Sequence, residues 1–244
     1  MKIRIKFSKK GTVRYIGHLD IMRYFQKAIR RSGLDIAYTN GFHKHQILSF
    51  AAPLGVGLES SGEYMDAEFN SFPGPEAVCA SLNKEMAEGI EILSAIQLPD
   101  TAKNAMSQVA AADYIVRFPF WEGLQEDLER FLALESIVVS KTTKNGETEI
   151  DIRPIIYEMK ITELPGSIDS AALGVDVPEG AEASYGGIFM KLSSGSRANL
   201  KPELVLNTFA AGCGHTAGEF SSLTERLEMY AEVGGRLVPL SEAF

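Results

Sequence analysis

Hydrophobic and charged residues alternate from Lys2 to Phe7, and a Ser-Lys-Lys-Gly turn follows. Alternation with period two predicts a β-strand that buries one face, and Thr12 to Ile16 either extends or pairs with it. From His18 to Ser32 the apolar residues instead recur every three or four positions, which predicts a helix that ends at Gly33. The residues predicted on its buried face are Leu19, Met22, Phe25 and Ile29.

The elements that follow the first helix complete the first predicted unit. Leu34 to Tyr38 predicts a second strand, and a loop from Thr39 to Gln46 leads to a third strand that ends near Phe69. Pro73 and Pro75 introduce a second helix, and Ile90 to Leu98 predicts a further strand. The order β-α-β-β-α-β is the signature of a ferredoxin-like unit.

A similar order follows in the second half of the chain. Its predicted elements are a strand at 114–120, a helix at 124–134, a hairpin at Asn145-Gly146, a long excursion at 162–184, a strand at 187–192, a helix at 202–211 and a strand at 226–233. We therefore predict an α+β protein of two tandem ferredoxin-like units, the second embellished. The predicted domains are a basic one at 1–98, a helical linker at 99–112 and an acidic one at 113–244.

The composition is that of a soluble globular protein, with 45% hydrophobic and 23% charged residues among 244. No apolar run approaches the roughly 18–20 residues that a membrane-spanning helix needs, and the N-terminus lacks the apolar core of a signal peptide. We therefore expect a cytoplasmic protein without membrane contact. Two cysteines, Cys79 and Cys213, are too few for a disulfide framework or a cysteine-only zinc site.

The net charge of −8 conceals a strong asymmetry along the chain. Residues 1–50 hold eleven basic and two acidic residues, a net charge of +9, whereas the remainder holds thirteen against thirty, a net charge of −17. Such asymmetry predicts an anionic partner at the basic end.

Nucleic-acid binding needs several cations that reach successive phosphates, and the first helix places four of them opposite its apolar face. The predicted phosphate-binding residues are Lys9, Lys10, Arg14, Arg23, Lys27, Arg30, Arg31, His43 and Lys44. Tyr15 and Tyr24 could stack on bases beside them. The alternatives are a helix face that is merely solvated, a Tyr15 that packs in the sheet and a Tyr24 that borders the core.

Three of the four histidines lie in the basic segment, and they allow a catalytic interpretation. His18 and His45 could act as a general acid and base, while His18, His43 and His45 together with Asp20 could bind a metal; we expect no metal site. The simpler interpretation is a residue at a helix N-terminus and an exposed loop. Arg153 and Arg226, on predicted strands, either form structural ion pairs or bind an anion on an open sheet face.

Short motifs spread over nearly the whole chain carry a family resemblance. They are Gly17-His18-Leu19-Asp20 followed by Arg23, Gly41-Phe42 with His45, Ser49-Phe50, Pro53-Leu54-Gly55-Val56-Gly57, Asp151-Ile152-Arg153-Pro154, Asn199-Leu200-Lys201-Pro202 and Arg226-Leu227-Glu228-Met229-Tyr230. With them the chain resembles the bacterial radical SAM-associated domain of unknown function. The family's loop usually reads Gly-Phe-Asn-Pro-His-Pro-Lys; here both prolines are absent, so we expect a less rigid loop.

The resemblance implies a context for the protein. Family members occur alone or fused behind a cobalamin-binding-type radical SAM domain, and their genes often lie near those of ribonuclease G and ribosomal proteins. This chain has no Cys-x₃-Cys-x₂-Cys motif, so the iron–sulfur cluster, S-adenosylmethionine and any cobalamin are expected on a partner and no cofactor on this chain.

We predict an RNA-binding accessory protein that presents ribosomal or transfer RNA to a radical SAM enzyme. One alternative is a metal-independent RNA-cleaving or RNA-modifying enzyme that uses His18 and His45. Another alternative is a protein-interaction module for a radical SAM partner.

Overall fold

The fold is described from a computed structural model, which covers residues 1–143, 146–163, 185–196, 198–215 and 223–244. The chain divides into two compact units. The first contains Met1–Ala112, Gly195–Arg197 and Glu225–Phe244, and the second contains Asp113–Ser194 and Ala198–Thr224. Among the described residues, no helix is long and apolar enough to cross a membrane.

The first half of the chain alternates between strands and helices. Its elements are β1 (Lys2–Lys9), a 3₁₀ helix (Gly11–Tyr15), α1 (His18–Arg31), β2 (Leu48–Phe50), β3 (Glu59–Glu68), α2 (Pro75–Asn83), β4 (Ile90–Gln97), α3 (Ala105–Gln108) and β5 (Val109–Pro119). The later elements are α4 (Leu124–Leu132), β6 (Val138–Thr143), β7 (Gly146–Asp151), a second 3₁₀ helix (Arg153–Ile155), β8 (Ile156–Glu163), β9 (Tyr185–Ser193), α5 (Pro202–Gly212), β10 (Leu223–Val233) and β11 (Arg236–Pro239).

Nine of the described strands form one mixed sheet in the order β4-β1-β3-β10-β5-β9-β8, with β2 beside β3 and β11 beside β10. β1 is antiparallel to β3 and β4, whereas β10 runs parallel to β3. The protein is therefore a mixed α and β protein, as the patterns predicted. Two tandem ferredoxin-like units are not confirmed, because the sheet is larger than a four-stranded unit of that kind would give.

The core of the first unit lies between the sheet and the helices α1 and α2. On α1 the buried residues are Ile21, Phe25, Ala28 and Ile29. Phe25 packs its ring 4.7 Å from that of Phe7 and 5.7 Å from that of Phe50, centroid to centroid. Aromatic pairs at this separation add to the stabilisation from buried area, so these contacts hold α1 against the sheet.

Leu19 departs from the predicted buried face of α1, because it is 61% exposed. A helix turns by about 100° per residue, so each three-residue step falls about 60° short of a full turn. Two such steps, through Met22, place Leu19 about 120° from Phe25 and outside the buried stripe.

Two predicted strands of the first unit have a different structure. Residues 12–16 do not extend the first strand, because most of them belong to the 3₁₀ helix. Leu34 to Tyr38 forms only isolated bridges, Ile36 opposite Phe69 and Tyr38 opposite Gln46. The reason is that Leu48–Phe50 already pairs with the end of β3, and this pairing leaves the earlier segment no continuous partner.

The second unit contains the predicted hairpin and one strand that the patterns missed. β6 and β7 pair in register up to Thr143 opposite Gly146; Asn145 itself lies outside the described residues, as does most of the 162–184 excursion. β8 was not predicted as a strand, and it pairs antiparallel with β9. α4 and α5 pack together through Phe131 and Phe209, whose ring centroids are 5.2 Å apart.

Candidate nucleic-acid interface

The exposed face of α1 carries three cations, Arg23, Lys27 and Arg30, and we refer to these three as the basic face. They point away from the sheet because Ile21 and Phe25 occupy the buried side of the same helix. Lys27 and Arg30 have no ion-pair partner within the part of the chain that the structure describes.

Arg23 and Arg31 each have an acidic partner, but the two pairs differ. Arg23 lies 3.3 Å from Asp20, and both side chains are about two-thirds exposed, so the pair is weak and Arg23 is accessible. Arg31 donates to the Glu85 carboxylate at 2.7 Å, and its other nitrogen reaches the Glu85 carbonyl. Arg31 is therefore directed toward the segment after α2 and does not belong to the basic face.

Tyr24 lies at the same edge of α1 as Arg31. Its hydroxyl donates to the Glu85 carbonyl at 3.0 Å, and the backbone N–H of Ala87 donates to that hydroxyl. Its ring packs edge-on against Phe25. Tyr24 thus borders the core, which is the simpler of the two interpretations of this residue.

Loop 39–45 lies beside the basic face. Its base is closed by two hydrogen bonds between Thr39 and His45, from the Thr39 N–H to the His45 carbonyl and from the His45 N–H to the Thr39 hydroxyl. The next residue, Gln46, donates from its side-chain amide to the Gln26 carbonyl at 3.1 Å. Gln26 neighbours Arg23 and Arg30 on the helix surface, at spacings of three and four residues.

All residues of loop 39–45 are exposed. They include the two histidines His43 and His45, the cation Lys44 and the wholly exposed ring of Phe42. The structure therefore brings three of the predicted site residues, His43, Lys44 and His45, to one edge of the basic face.

Most other cations of the N-terminal segment are neutralised within the first unit. The pairs are Arg4 with Asp66, Lys6 with Glu228, Lys10 with Glu225 and Arg14 with Glu59. The partners are distant in sequence, and for this reason the charge count of residues 1–50 overstates the charge that these residues present to a ligand. Of these cations only Lys10 is about half exposed.

Lys9 is 3% exposed and lies beneath the 3₁₀ helix. Its ammonium donates to the carbonyls of Arg14 and Ile16, at 3.2 and 2.8 Å. Burial lowers the pKa of Lys9; the Glu63 carboxylate partly offsets this, and the Arg226 guanidinium adds to it. Lys9 thus holds the backbone that leads into α1 and is not at the surface.

Arg226 lies on a strand as predicted, whereas Arg153 begins the second 3₁₀ helix, and both side chains are held by internal acceptors. Arg226 binds both carboxylate oxygens of Glu63, at 2.6 and 2.7 Å, and both side chains are buried. Arg153 donates to the Leu132 carbonyl at 3.0 Å. The Asp151 carboxylate accepts the backbone N–H groups of Ile137 and Arg153, and these two bonds lower its pKa.

His18 is half-buried in the first turn of α1, and its ring meets the Phe50 ring edge-on at 5.4 Å. Loop 39–45 is attached at Gln26, eight residues further along, which corresponds to about 12 Å of helix. His18 and the contact that holds loop 39–45 are thus about two turns apart on α1, and His45 lies in that loop with His43 and Lys44. Nowhere in the described residues do three or more His, Cys, Asp or Glu side chains form a group that could hold a metal ion.

Exposed apolar side chains lie where the 3₁₀ helix leads into α1; the sequence patterns indicated Tyr15 among them and missed the other three. Tyr15, Leu19 and Val56 are each just over 60% exposed, and Ile16 is more than one-third exposed. We refer to these four residues as the apolar patch. The Gly57 N–H donates to the Arg14 carbonyl at 2.9 Å, and this bond joins the segment that carries Val56 to the one that carries Tyr15. Two of the missed residues, Leu19 and Val56, lie inside the family motifs Gly17-His18-Leu19-Asp20 and Pro53-Leu54-Gly55-Val56-Gly57, and this is the sequence signal that could have indicated them.

Comparison with known protein families identifies the family of the chain. No curated protein matches the chain. One family matches over residues 2–202, a span that includes the basic face, loop 39–45 and the apolar patch. The chain belongs to this family, which is described as "Uncharacterized protein conserved in bacteria (DUF2344)".

Proposed function

We propose that the protein binds RNA through the basic face of α1 and loop 39–45, and that it presents ribosomal or transfer RNA to a radical SAM protein. The observation that carries the RNA-binding part is the contrast between two sets of cations in one unit. Arg4, Lys6 and Arg14 are neutralised internally, whereas Lys27 and Arg30 are exposed without a partner in the described residues.

The spacing of these cations suits a chain of phosphates. Arg23 and Arg30 are seven residues apart, which corresponds to about 10 Å along α1, and Lys27 lies between them. Lys44 on the neighbouring loop adds a fourth exposed cation. Cations that reach several phosphates release condensed counterions, and this release supplies most of the affinity of sequence-independent binding.

The family resemblance supports the part of the proposal that concerns a radical SAM partner. The cysteines of this chain are also not spaced to hold the iron–sulfur cluster of such an enzyme. A radical SAM cluster is held by three closely spaced cysteine thiolates, and Cys79 and Cys213 are 134 positions apart in the sequence. Both are partly buried, and burial raises the pKa of each thiol. The iron–sulfur cluster, S-adenosylmethionine and any cobalamin would therefore be bound by the partner.

An RNA-cleaving or RNA-modifying enzyme that uses His18 and His45 as the acid and base has less support. A general acid and base must both reach the reacting group of one substrate. His18 and Gln26, to whose carbonyl loop 39–45 is held through Gln46, are about 12 Å apart along α1, and the His18 ring packs on Phe50.

The test is binding of a fluorescently labelled RNA to the purified full chain after nuclease treatment. Replacing Arg23, Lys27 and Arg30 together by Gln removes three phosphate contacts, so the affinity should fall about 100-fold at 0.1 M salt. The matched control replaces three exposed cations elsewhere, Lys84, Lys103 and Arg236, by Gln.

An equal loss of RNA affinity in both triple variants, or no binding by the unmodified chain, would overturn the proposal. Cleaved RNA would favour the enzyme, and a protein that co-purifies despite nuclease would favour the interaction module.

A further inference from the structure

We infer that the RNA bound by this protein is single-stranded, and that the apolar patch of Tyr15, Ile16, Leu19 and Val56 receives its unpaired bases. This inference rests on the proposed function and specifies its ligand. All four side chains are exposed, and the segments that carry them adjoin: the 3₁₀ helix leads directly into the first turn of α1, and the loop before β3 is hydrogen-bonded to the 3₁₀ helix from the Gly57 N–H to the Arg14 carbonyl. Isolated exposed apolar residues are ordinary at protein surfaces, but a cluster of them marks an interaction site.

The backbone beneath the patch is held firmly. The Lys9 ammonium binds the carbonyls of Arg14 and Ile16 from the buried side, and the Lys10 N–H donates to the Gly89 carbonyl at 2.8 Å. Gly89 fits so closely that a Cβ atom there would lie 2.4 Å from the Lys10 carbonyl oxygen. A surface ordered before binding loses less conformational entropy when a ligand arrives.

The Tyr15 ring is also positioned before any ligand binds. The Arg14 guanidinium lies over it, 5.0 Å from the ring centroid, and a nitrogen of Arg14 lies 3.5 Å from the Glu59 carboxylate. An unpaired base would therefore stack on a Tyr15 ring that the Arg14 guanidinium already holds in position. Stacking on aromatic rings with adjacent arginines is a common way of binding single-stranded nucleic acid.

The apolar patch continues into the basic face. Leu19 and Arg23 are four residues apart on α1, so their side chains are neighbours on the helix surface. In loop 39–45, beside the basic face, the Phe42 ring is wholly exposed. The surface therefore offers apolar groups next to a row of cations, which complements a strand whose bases and phosphates are both accessible.

A duplex would not use these apolar groups. In double-stranded RNA the bases are stacked on each other, and proteins contact mainly phosphates and 2′-hydroxyls. The basic face alone would serve a duplex, whereas exposed rings contribute only when bases are unstacked. The presence of both features favours single-stranded RNA, and charge complementarity from Arg23 and Lys27 favours it over an apolar protein segment.

The experiment compares the affinity of the protein for three ligands at one salt concentration. They are a 12-nucleotide oligouridylate, a 12-base-pair RNA duplex and a 12-nucleotide RNA strand without bases. The unmodified chain should bind the oligouridylate at least tenfold more tightly than the other two. The double variant Tyr15→Ala/Leu19→Ala should lose between about 5-fold and 150-fold for the oligouridylate, the range expected for one stacked base, and should keep its affinity for the duplex. The matched control, Leu93→Ala/Met106→Ala, alters two exposed apolar residues of the same unit and should change neither affinity.

The outcomes separate this inference from the proposed function. Equal binding of single strand and duplex, with no effect of the Tyr15 and Leu19 substitutions, would overturn the inference and leave RNA binding intact. Absence of binding to all three nucleic acids would overturn both. Because the double variant could perturb the start of α1, Val56→Ser serves as a second variant outside the helix. It should weaken oligouridylate binding while the unfolding midpoint measured by circular dichroism stays unchanged, and unaltered binding by Val56→Ser would contradict the inference.

Discussion

The Arg226 guanidinium and the Glu63 carboxylate form a buried ion pair that links β10 to β3. Nε and Nη2 of Arg226 contact Oε1 of Glu63 at 2.9 and 2.6 Å, and Nη2 contacts Oε2 at 2.7 Å. Nη2 also donates to the Ala52 carbonyl, and Ser60 donates its hydroxyl to the Arg226 carbonyl. The pair thus joins a strand near the end of the chain to the sheet formed by its N-terminal segment.

Replacing Arg226 by Ala should lower the free energy of unfolding by about 3–5 kcal/mol, because it leaves Glu63 buried without its partner. Replacing the pair together, Arg226→Met with Glu63→Leu, should cost much less, since no buried charge is then left unpaired. Lys9 would lose both its nearby carboxylate and its nearby guanidinium in that double variant.

Urea denaturation followed by far-ultraviolet circular dichroism measures these differences. The control is Arg236→Ala, an exposed arginine near the other end of the same β10–β11 hairpin. A loss below about 1 kcal/mol for Arg226→Ala would mean that the ion pair does not stabilise the junction of β10 and β3.

Arg226 also illustrates what the sequence could and could not predict. Its position on a strand followed from the alternation of residues, but the choice between a structural pair and an anion site depended on Glu63, which lies 163 positions away. The same holds for Arg4 and Lys6, whose acidic partners come from other strands. Local patterns predict elements because backbone propensity is local, whereas charge pairing across a sheet depends on the register.

The helix α1 and its basic face were predictable, because one periodicity places Phe25 and Ile29 inside and Lys27 and Arg30 outside. The apolar patch was not, since Leu19 fits a helical repeat that drifts around the helix. The nine-stranded sheet was also not predictable, because β10 joins β3 in parallel across most of the chain length.

The individual cations of α1 should differ in their contribution to RNA affinity. Lys27→Gln and Arg30→Gln should each weaken binding about fivefold at 0.1 M salt, the expected loss for one phosphate contact. Arg31→Gln should change the RNA affinity by less than twofold, because Arg31 is directed toward Glu85. Fluorescence anisotropy with a single-stranded RNA measures all three. A larger loss for Arg31→Gln than for Lys27→Gln would show that the RNA contacts the other edge of α1.

The Cys213 thiol should react slowly with iodoacetamide. Burial raises its pKa, and the Asp127 carboxylate, which contacts the thiol, raises it further. The reactive thiolate therefore forms only at a higher pH than for an unperturbed cysteine, whose pKa is about 8.5. The rate of alkylation against pH, measured in a Cys79→Ser background, should have its inflection above that value. Asp127→Asn should move the inflection to lower pH, and an unchanged or upward inflection would show that the carboxylate does not act on the thiol.

The salt dependence of RNA binding should count the cations that contact phosphate. For single strands the slope of log affinity against log salt is about −0.7 per contact, so Arg23, Lys27, Arg30 and Lys44 together should give about −3. Arg23→Gln with Lys27→Gln should make the slope less steep by about 1.4. The same double variant should alter the free energy of unfolding by no more than about 0.5 kcal/mol, as is usual for exposed positions.

Lys84→Gln with Lys103→Gln makes the same change in net charge elsewhere and should leave the slope unaltered. His18→Ala should also leave it unaltered, because the imidazole packs on Phe50 away from the basic face. An affinity that does not depend on salt, or a slope that the Arg23 and Lys27 substitutions leave unchanged, would show that this face of α1 is only solvated.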